Sequence, residues 1–472
     1  MDELKLKEKF YFKMKIFLLS LLLFVLVNRD VGAVLDPRLS PNNKVGIGIL
    51  SPEAEIDDAS AMVNKNGDWG WVLLVIKKSE RNVDRWQSVF HRLADYHLIP
   101  IVRIATEVDQ KGIWQRPSSE DADSWADFLS KLYWPTKNRY VQIYNEVNRG
   151  EEWGGKVDPA DYANELEKTI VSLRAKSSDF YILNSPLDLA LATRGNDALD
   201  ARVFFETMES SNPGIFKKLN GWASHSYPNP DFSSSPLKTG RVSIEGWRWE
   251  MNQIDKHLEG RYLPVFITET GWKRSDSGNG LSDGEISDYY KIAFENVWDD
   301  QRIAAVIPFV FNYPSSEFYP FSFVKKSGDG KEYFKYYYTL ADLEKNVGEP
   351  IRENLASELR LSIGKVVIKD RNEELILTVR NSGNYVWESK NLKVEILPVN
   401  LQLVELVWEK EKIFPGEVAE ASIKVKSDTT GNLSLNLRIY DGGEILASRM
   451  WDIESETYLS LIMKVVRDVL RV

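Results

Sequence analysis

The chain has 472 residues, 43% of them hydrophobic and 28% charged, which is ordinary globular composition and length enough for two or three domains. Its net charge is −10 and no basic stripe runs along it, which argues against nucleic acid as a partner. It contains no cysteine, so disulfides, thiolate metal sites and a cysteine nucleophile are all excluded.

At the N-terminus, residues 16–27 are apolar apart from Ser20 and follow Lys13 and Lys15. "VGA" at 31–33 then offers a small-residue cleavage site, so residues 1–33 read as an export signal, with Met14 as an alternative start. The apolar run is short for a membrane span, although left uncleaved it would serve as an anchor. The expected location is secreted or extracellular, or attached to the cell surface, and an exported chain without disulfides suits a prokaryotic protein stabilised by a large core.

From residue 44, short apolar runs alternate with longer amphipathic segments. The runs are "KVGIGIL" (44–50), "WVLLVIK" (71–77), "IPIVRIA" (99–105), "YVQIYNE" (140–146), "FYILNS" (180–185), "LNGWASHSY" (219–227), "PVFITET" (264–270) and "IAAVIPFVF" (303–311). Between them lie helical stretches such as 82–97 and 158–176. In the second, Asp158 is placed to cap the helix, Pro159 occupies its first turn, and Leu166, Ile170 and Leu173 keep a helical period. Strands alternating with helices imply a parallel sheet. An open doubly wound sheet also accommodates eight strands, but eight units in some three hundred residues favour an α/β (β/α)8 barrel over residues 34–350.

After residue 350 the period changes from helical to two. In "NLSLNLRIYDGG" (432–443), Leu433, Leu435, Leu437 and Ile439 share one face, and Ser434, Asn436 and Arg438 the other. Residues 351–455 therefore read as an antiparallel β-sandwich of about seven strands, and "TVRNSGNYVWES" with "IFPGE" resembles the bacterial Ig-like modules appended to secreted enzymes. The tail, residues 456–472, is an amphipathic helix too short to span a membrane. Packing on a neighbouring domain is the preferred reading; association with a membrane or cell surface is the other.

In a barrel of this type, reactive side chains stand at the C-terminal ends of the strands. Strand four ends with Asn145 and Glu146, strand six with His225 and Tyr227, strand seven with Glu269 and Trp272, and strand eight with Phe311, Asn312 and Tyr313. Regular alternation puts Val265, Ile267 and Glu269 on one face, Tyr144 with Glu146, and His225 with Tyr227. A lone strand-end Glu is ordinarily a rim residue, Asn145 alone a turn cap, and His225 alone a core histidine. Together they place two carboxylates across one barrel mouth, the arrangement that glycosidic cleavage requires. One protonates the leaving oxygen while the other attacks the anomeric carbon or activates water. His225 and Tyr227 supply hydrogen bonds to aim the partner carboxylate. Twelve of the 15 tryptophans lie between Trp69 and Trp298. Most are expected in the core, but Trp114, Trp153 and Trp272, which follow strands three, four and seven, are candidate platforms for a sugar ring. The four histidines (His91, His97, His225, His257) lack metal-ligand spacing, and no phosphate-binding glycine motif is present, so neither metal nor organic cofactor is expected.

"YNEVN", "HSYPNP" and "FITETGW", in that order over residues 44–345, resemble the signature of clan A retaining glycoside hydrolases, the cellulase-like (β/α)8 superfamily, and within it families 5 and 39. The resemblance implies that Glu146 is the acid/base and Glu269 the nucleophile, that Asn145 contacts the sugar 2-hydroxyl, and that His225 and Tyr227 line the site. The chain departs from the pattern twice. Strand two offers only Lys77 or Lys78 where many members place an arginine, and strand eight offers Phe311 and Tyr313 where many place a tryptophan. The expected activity is hydrolysis of β-glycosidic bonds in a poly- or oligosaccharide by double displacement. A transglycosylase would use the same residues, and a catalytically silent glycan-binding barrel is the rival of another class.

Overall fold

The computed structural model describes residues 34–39, 42–132, 134–275, 280–315, 317–326, 331–351, 357–362, 366–381, 387–397, 401–414, 417–441 and 444–470. The export signal, residues 1–33, lies outside the described residues, as does Arg471.

The eight apolar runs form eight strands: β1 Gly46–Ile49, β2 Gly70–Lys77, β3 Leu98–Ala105, β4 Arg139–Ile143, β5 Phe180–Leu183, β6 Trp222–His225, β7 Val265–Thr270 and β8 Ile303–Pro308. Each is followed by a helix: α1 Pro52–Val63, α2 Val83–Asp95, α3 Asp121–Ser130, α4 Pro159–Lys176, α5 Ala201–Ser211, α6 Gly246–Ile254, α7 Asp283–Ile292 and α8 Lys335–Asp342. Sequence sets the helix ends. Asp158 accepts the Asp161 N–H at 3.1 Å ahead of Pro159, and Asn82 caps α2 through the Arg85 N–H at 2.9 Å.

All strand pairs are parallel, in one run β1 to β5 and another β6 to β8. Parallel bridges Leu183↔Gly221 and Val45↔Val306 join the two runs and close the barrel. Closure requires glycine in β1: a Cβ on Gly48 would stand 2.2 Å from the Phe309 carbonyl oxygen. The strands read as continuous apolar runs because both faces are buried. Trp71, Leu73, Ile99, Ile101, Tyr140 and Phe266 fill the barrel interior, while Val72, Leu74, Val102, Val141, Val265 and Ile267 pack beneath the helices.

One buried group outside the barrel mouth has a measurable consequence. Glu250 of α6 is fully buried, accepts a hydrogen bond from Ser224 Oγ, and has no partner for Oε1 among the described residues. Burial pushes its carboxyl up to about 8, against the pull of Ser224 and Trp222. The folded state therefore keeps a proton that the unfolded chain releases, so stability is present at low pH and is lost as pH rises from about 4.5 toward 8. Glu250→Gln is expected to remove this loss, raising stability by up to about 3 kcal/mol at pH 7. Thermal melts of both proteins between pH 5 and 8 check it; an equal fall of Tm in the variant would contradict the assignment.

The C-terminal domain is a β-sandwich. One sheet runs Ser357–Ser362, Asn372–Asn381, Val418–Ser427, Leu401–Trp408, and the other runs Val366–Ile368, Glu444–Glu456, Gly431–Asp441, Leu392–Leu397. Leu377, Val379, Ala421 and Ile423 of the first share a core with Leu435, Leu437 and Ile439 of the second, as the two-residue period predicts. Two expectations change. The described residues hold two four-stranded sheets plus the small pair Trp387–Glu388 and Lys412–Ile413, more than seven strands, and Val366–Ile368 pairs with residues 454–456 in parallel. The tail is helical over Tyr458–Leu470, but Leu459 (71% exposed) and Met463 (55%) are not packed on a neighbour as preferred from the sequence. Among the described residues no helix is long and apolar enough to cross a membrane.

Candidate active site

Both carboxylates arrive at the barrel mouth through local irregularities. β4 ends at Ile143, and the chain then takes left-handed φ at Tyr144 (+66°) and Glu146 (+34°). Such conformations cost non-glycine residues on the order of 1–3 kcal/mol and persist where the surroundings demand them. Tyr144 is thereby turned to pack against Trp153 (ring centroids 5.5 Å apart), while the Glu146 carboxylate reaches His225. In β7, Ser224 pairs with Ile267 but the next residue, His225, pairs with Glu269, so one extra residue bulges between them. The bulge moves Glu269 off the helix-facing side held by Val265 and Ile267. Simple alternation, which grouped Tyr144 with Glu146 and Glu269 with Val265, fails at both positions for these reasons.

The four residues expected to meet do so. His225 Nδ1 lies 2.8 Å from Glu146 Oε1 and 3.7 Å from Glu269 Oε2, so these two oxygens are no more than about 6.5 Å apart, the sum of the two legs. Facing two acceptors, Nδ1 carries the proton and donates it to Glu146. Burial lowers the imidazole to about 4, so His225 is neutral at neutral pH. Tyr227 donates its phenol to Glu269 Oε2 at 3.1 Å, and burial pushes that phenol well above its usual range, so it remains a donor.

Arg103 completes the site and was missed in the sequence. One Nη1 donates to Glu269 Oε1 and to Asn145 Oδ1, both at 2.9 Å, in an ion pair whose members are 13% and 8% exposed. The resemblance places an arginine at the end of strand two, whereas here it stands in β3, on the same face as Ile99 and Ile101. Its signal was legible: it is the one charged residue of "IPIVRIA".

The two carboxyl groups thus sit in unlike surroundings. Glu269 receives donors from Arg103 and Tyr227, while burial pushes the Glu146 carboxyl above its ordinary range despite Arg149 and Arg103. Arg149 Nη1 stays 3.9 Å from Glu146 because Asp188 (2.9 Å) and Glu151 hold it. A third carboxyl, Glu152, lies nearby on the turn after β4. No group of three or more carboxylate or imidazole side chains among the described residues is arranged to hold a metal ion.

The tryptophan expectations are corrected. Trp153 is 1% exposed, donates its indole N–H to Asp161 at 3.0 Å and packs on Tyr144 and Tyr162. Trp272 is 2% exposed, donates to the Ser234 carbonyl at 2.8 Å and packs on Tyr289, Tyr290 and Trp298. Both are core residues with no face for a sugar. Trp114 is half-buried beside Arg103 and Asn145. Phe311 is buried, and half-buried Tyr313 ends an aromatic row that runs through Phe318, Phe309 and Phe321 to Tyr227. The row was not foreseen because the loops after β6 and β8 build it jointly.

No family model matches the chain, and no curated protein matches it. Among solved structures it overlaps a family 39 glycoside hydrolase from the gut symbiont Bacteroides cellulosilyticus WH2, at 12% identity and TM-score 0.46, over 83% of this chain and 82% of that one. An endo-beta-1,3-glucanase of family 128 (subgroup II) from Pseudomonas viridiflava overlaps at 12% identity and TM-score 0.41, over 64% of this chain and 97% of that one. A double mutant of the Cellulomonas fimi endo-beta-1,4-mannanase overlaps at 10% identity and TM-score 0.40, over 87% and 94% of the two chains. With these TM-scores below 0.5, what the site does rests on its own residues.

Proposed function

We propose that the protein is a retaining glycoside hydrolase that cleaves β-glycosidic bonds of an oligo- or polysaccharide. The observation that carries this reading is the pair Glu146 and Glu269, of which Glu146 Oε1 and Glu269 Oε2 both reach one imidazole nitrogen and so lie at most about 6.5 Å apart, a limit that admits the retaining spacing. Retaining enzymes hold their carboxyl groups about 5–5.5 Å apart, whereas inverting enzymes leave room for a water at about 6.5–9.5 Å.

Glu146, with its proton held by burial, protonates the leaving-group oxygen. The His225 Nδ1–H bond occupies Oε1, leaving Oε2 to carry that proton. Glu269, oriented by Arg103 and Tyr227, attacks the anomeric carbon and forms the glycosyl-enzyme. Glu146, now ionised, takes a proton from the water that releases the sugar. The Arg103 bond fixes the Asn145 side chain beside the nucleophile, where its amide meets a sugar hydroxyl. The proposal extends to an exported chain, on the basic-then-apolar pattern of residues 13–27, with the barrel over 34–350, an Ig-like sandwich over 351–455 and the tail over 456–472.

Incubation with β-1,3- and β-1,4-linked glucans, mannans and xylans tests the reading. Release of reducing ends from at least one of them is expected, and none from a Glu146→Ala/Glu269→Ala double variant. Binding without release, in the wild-type protein, would establish the glycan-binding rival instead.

A further inference from the structure

A shallow recess, open to solvent, adjoins Asn145 and the Glu269 partner Arg103, between the loops that follow β3 and β4. Arg103, Thr106, Trp114, Asn145 and Glu152 line it. Two backbone bonds strap the loops together: the Trp114 N–H donates to the Glu151 carbonyl and the Gly154 N–H to the Trp114 carbonyl, both at 2.8 Å. Gly154 makes this possible, since it takes φ +66° and a Cβ there would stand 2.7 Å from Arg116 Cγ. Arg116 is in turn tied to Asp161 at 2.9 Å. Trp114 and Glu152 are thus held side by side on a braced frame.

Their polar groups are not used by the protein. The half-buried Glu152 carboxyl makes no hydrogen bond or ion pair with any described residue, unlike Glu146, Glu151, Asp188 and Glu269. The Trp114 indole N–H has no partner among the described residues, and Arg103 Nε is buried in the same wall without one. Leaving the buried Arg103 Nε unpaired costs free energy that a bound ligand offsets, and the half-buried Glu152 carboxyl and Trp114 indole N–H remain open to the same ligand.

We infer that this recess is a sugar subsite adjoining the point of cleavage, in which an uncharged sugar ring stacks on Trp114 and a ring hydroxyl hydrogen-bonds to Glu152. The inference rests on the hydrolase reading and specifies its substrate class. An indole face suits the C–H face of a sugar ring. The two cations near Glu152 are already committed, Arg103 to Glu269 and Asn145 and Arg149 to Asp188 and Glu151, and Glu146 and Glu269 add carboxyls nearby, so a uronate or sulfated sugar finds no free counter-charge. Burial pushes Glu152 up to about 8, against Arg103 and with Glu146 and Glu269, so at neutral pH it both donates and accepts without a charge to desolvate.

The test uses the full chain and three- to six-residue oligosaccharides of β-glucan, mannan and xylan, with alginate oligosaccharides as the charged probe. On the oligosaccharide that the wild type cleaves, Glu152→Ala and Trp114→Ala should each raise KM about 10- to 100-fold with kcat within about threefold. Glu152→Gln should recover most of the loss, and alginate oligosaccharides should be neither bound nor cleaved. Calorimetry of the same oligosaccharide on Glu269→Gln, with and without Glu152→Ala, should show the same loss in binding. Unchanged KM and binding in folded variants of an active enzyme, or cleavage of alginate, would overturn the subsite alone. A wild type that cleaves no saccharide would overturn the hydrolase reading and the subsite with it. Should Glu152→Ala not fold, Trp114→Ala in the same recess decides the question by the same readouts.

Discussion

Glu269→Ala is expected to lower kcat/KM by about 10⁴-fold or more, because it removes the atom that bonds to the anomeric carbon. The cause is local. Arg103 and Tyr227 both donate to this carboxylate, and neither side chain offers a nucleophile in its place. The cavity left by alanine admits a small anion. Azide at high concentration should therefore restore turnover of an aryl glycoside with a good leaving group, and the product should be the glycosyl azide of inverted configuration, since one displacement now replaces two. Retained activity in Glu269→Ala without azide would remove the assignment.

Glu146→Ala carries the second large effect, and it depends on the substrate. Natural saccharides leave poorly without protonation, so their turnover should fall about 10²- to 10⁴-fold. Aryl glycosides with good leaving groups should still form the glycosyl-enzyme, which then accumulates because no base assists water. Azide should relieve that block and yield a glycosyl azide of retained configuration, after two displacements. The same residue sets a pH limit. Burial raises the Glu146 carboxyl, so the acid form persists to higher pH than in an ordinary glutamate and is lost as pH rises through that raised value. The wild-type kcat/KM profile should fall on its alkaline side, and Glu146→Gln, with nothing to ionise, should lose that limb. Equal loss on good and poor leaving groups would contradict an acid/base role.

The order of eight strands and the approach of Glu146, Asn145, His225, Tyr227 and Glu269 were legible because strand periodicity and strand-end position are local properties of the sequence. The face each carboxylate takes was not. Alternation predicts it only for a regular strand, and here a left-handed turn at Tyr144 and Glu146 and a bulge between Ile267 and Glu269 each shift it. Arg103 was not legible from the family pattern, which places the arginine on strand two, although a guanidinium in an otherwise apolar strand demands a carboxylate partner. Trp153 and Trp272 follow strand ends, as a sugar platform would, yet indole hydrogen bonds to Asp161 and Ser234 pin both into the core. Glu152 and Trp114 stand 38 residues apart, and their loops are joined chiefly by backbone bonds, which leave no signature in the sequence.

The stereochemistry of the first product tests the two-carboxylate account most directly. Proton NMR during hydrolysis, followed before the sugar anomers equilibrate, distinguishes the outcomes. The proximity of Glu146 and Glu269 predicts that the sugar first appears with the anomeric configuration it had in the substrate. First appearance of the opposite anomer would show a single displacement by water and contradict Glu269 as nucleophile.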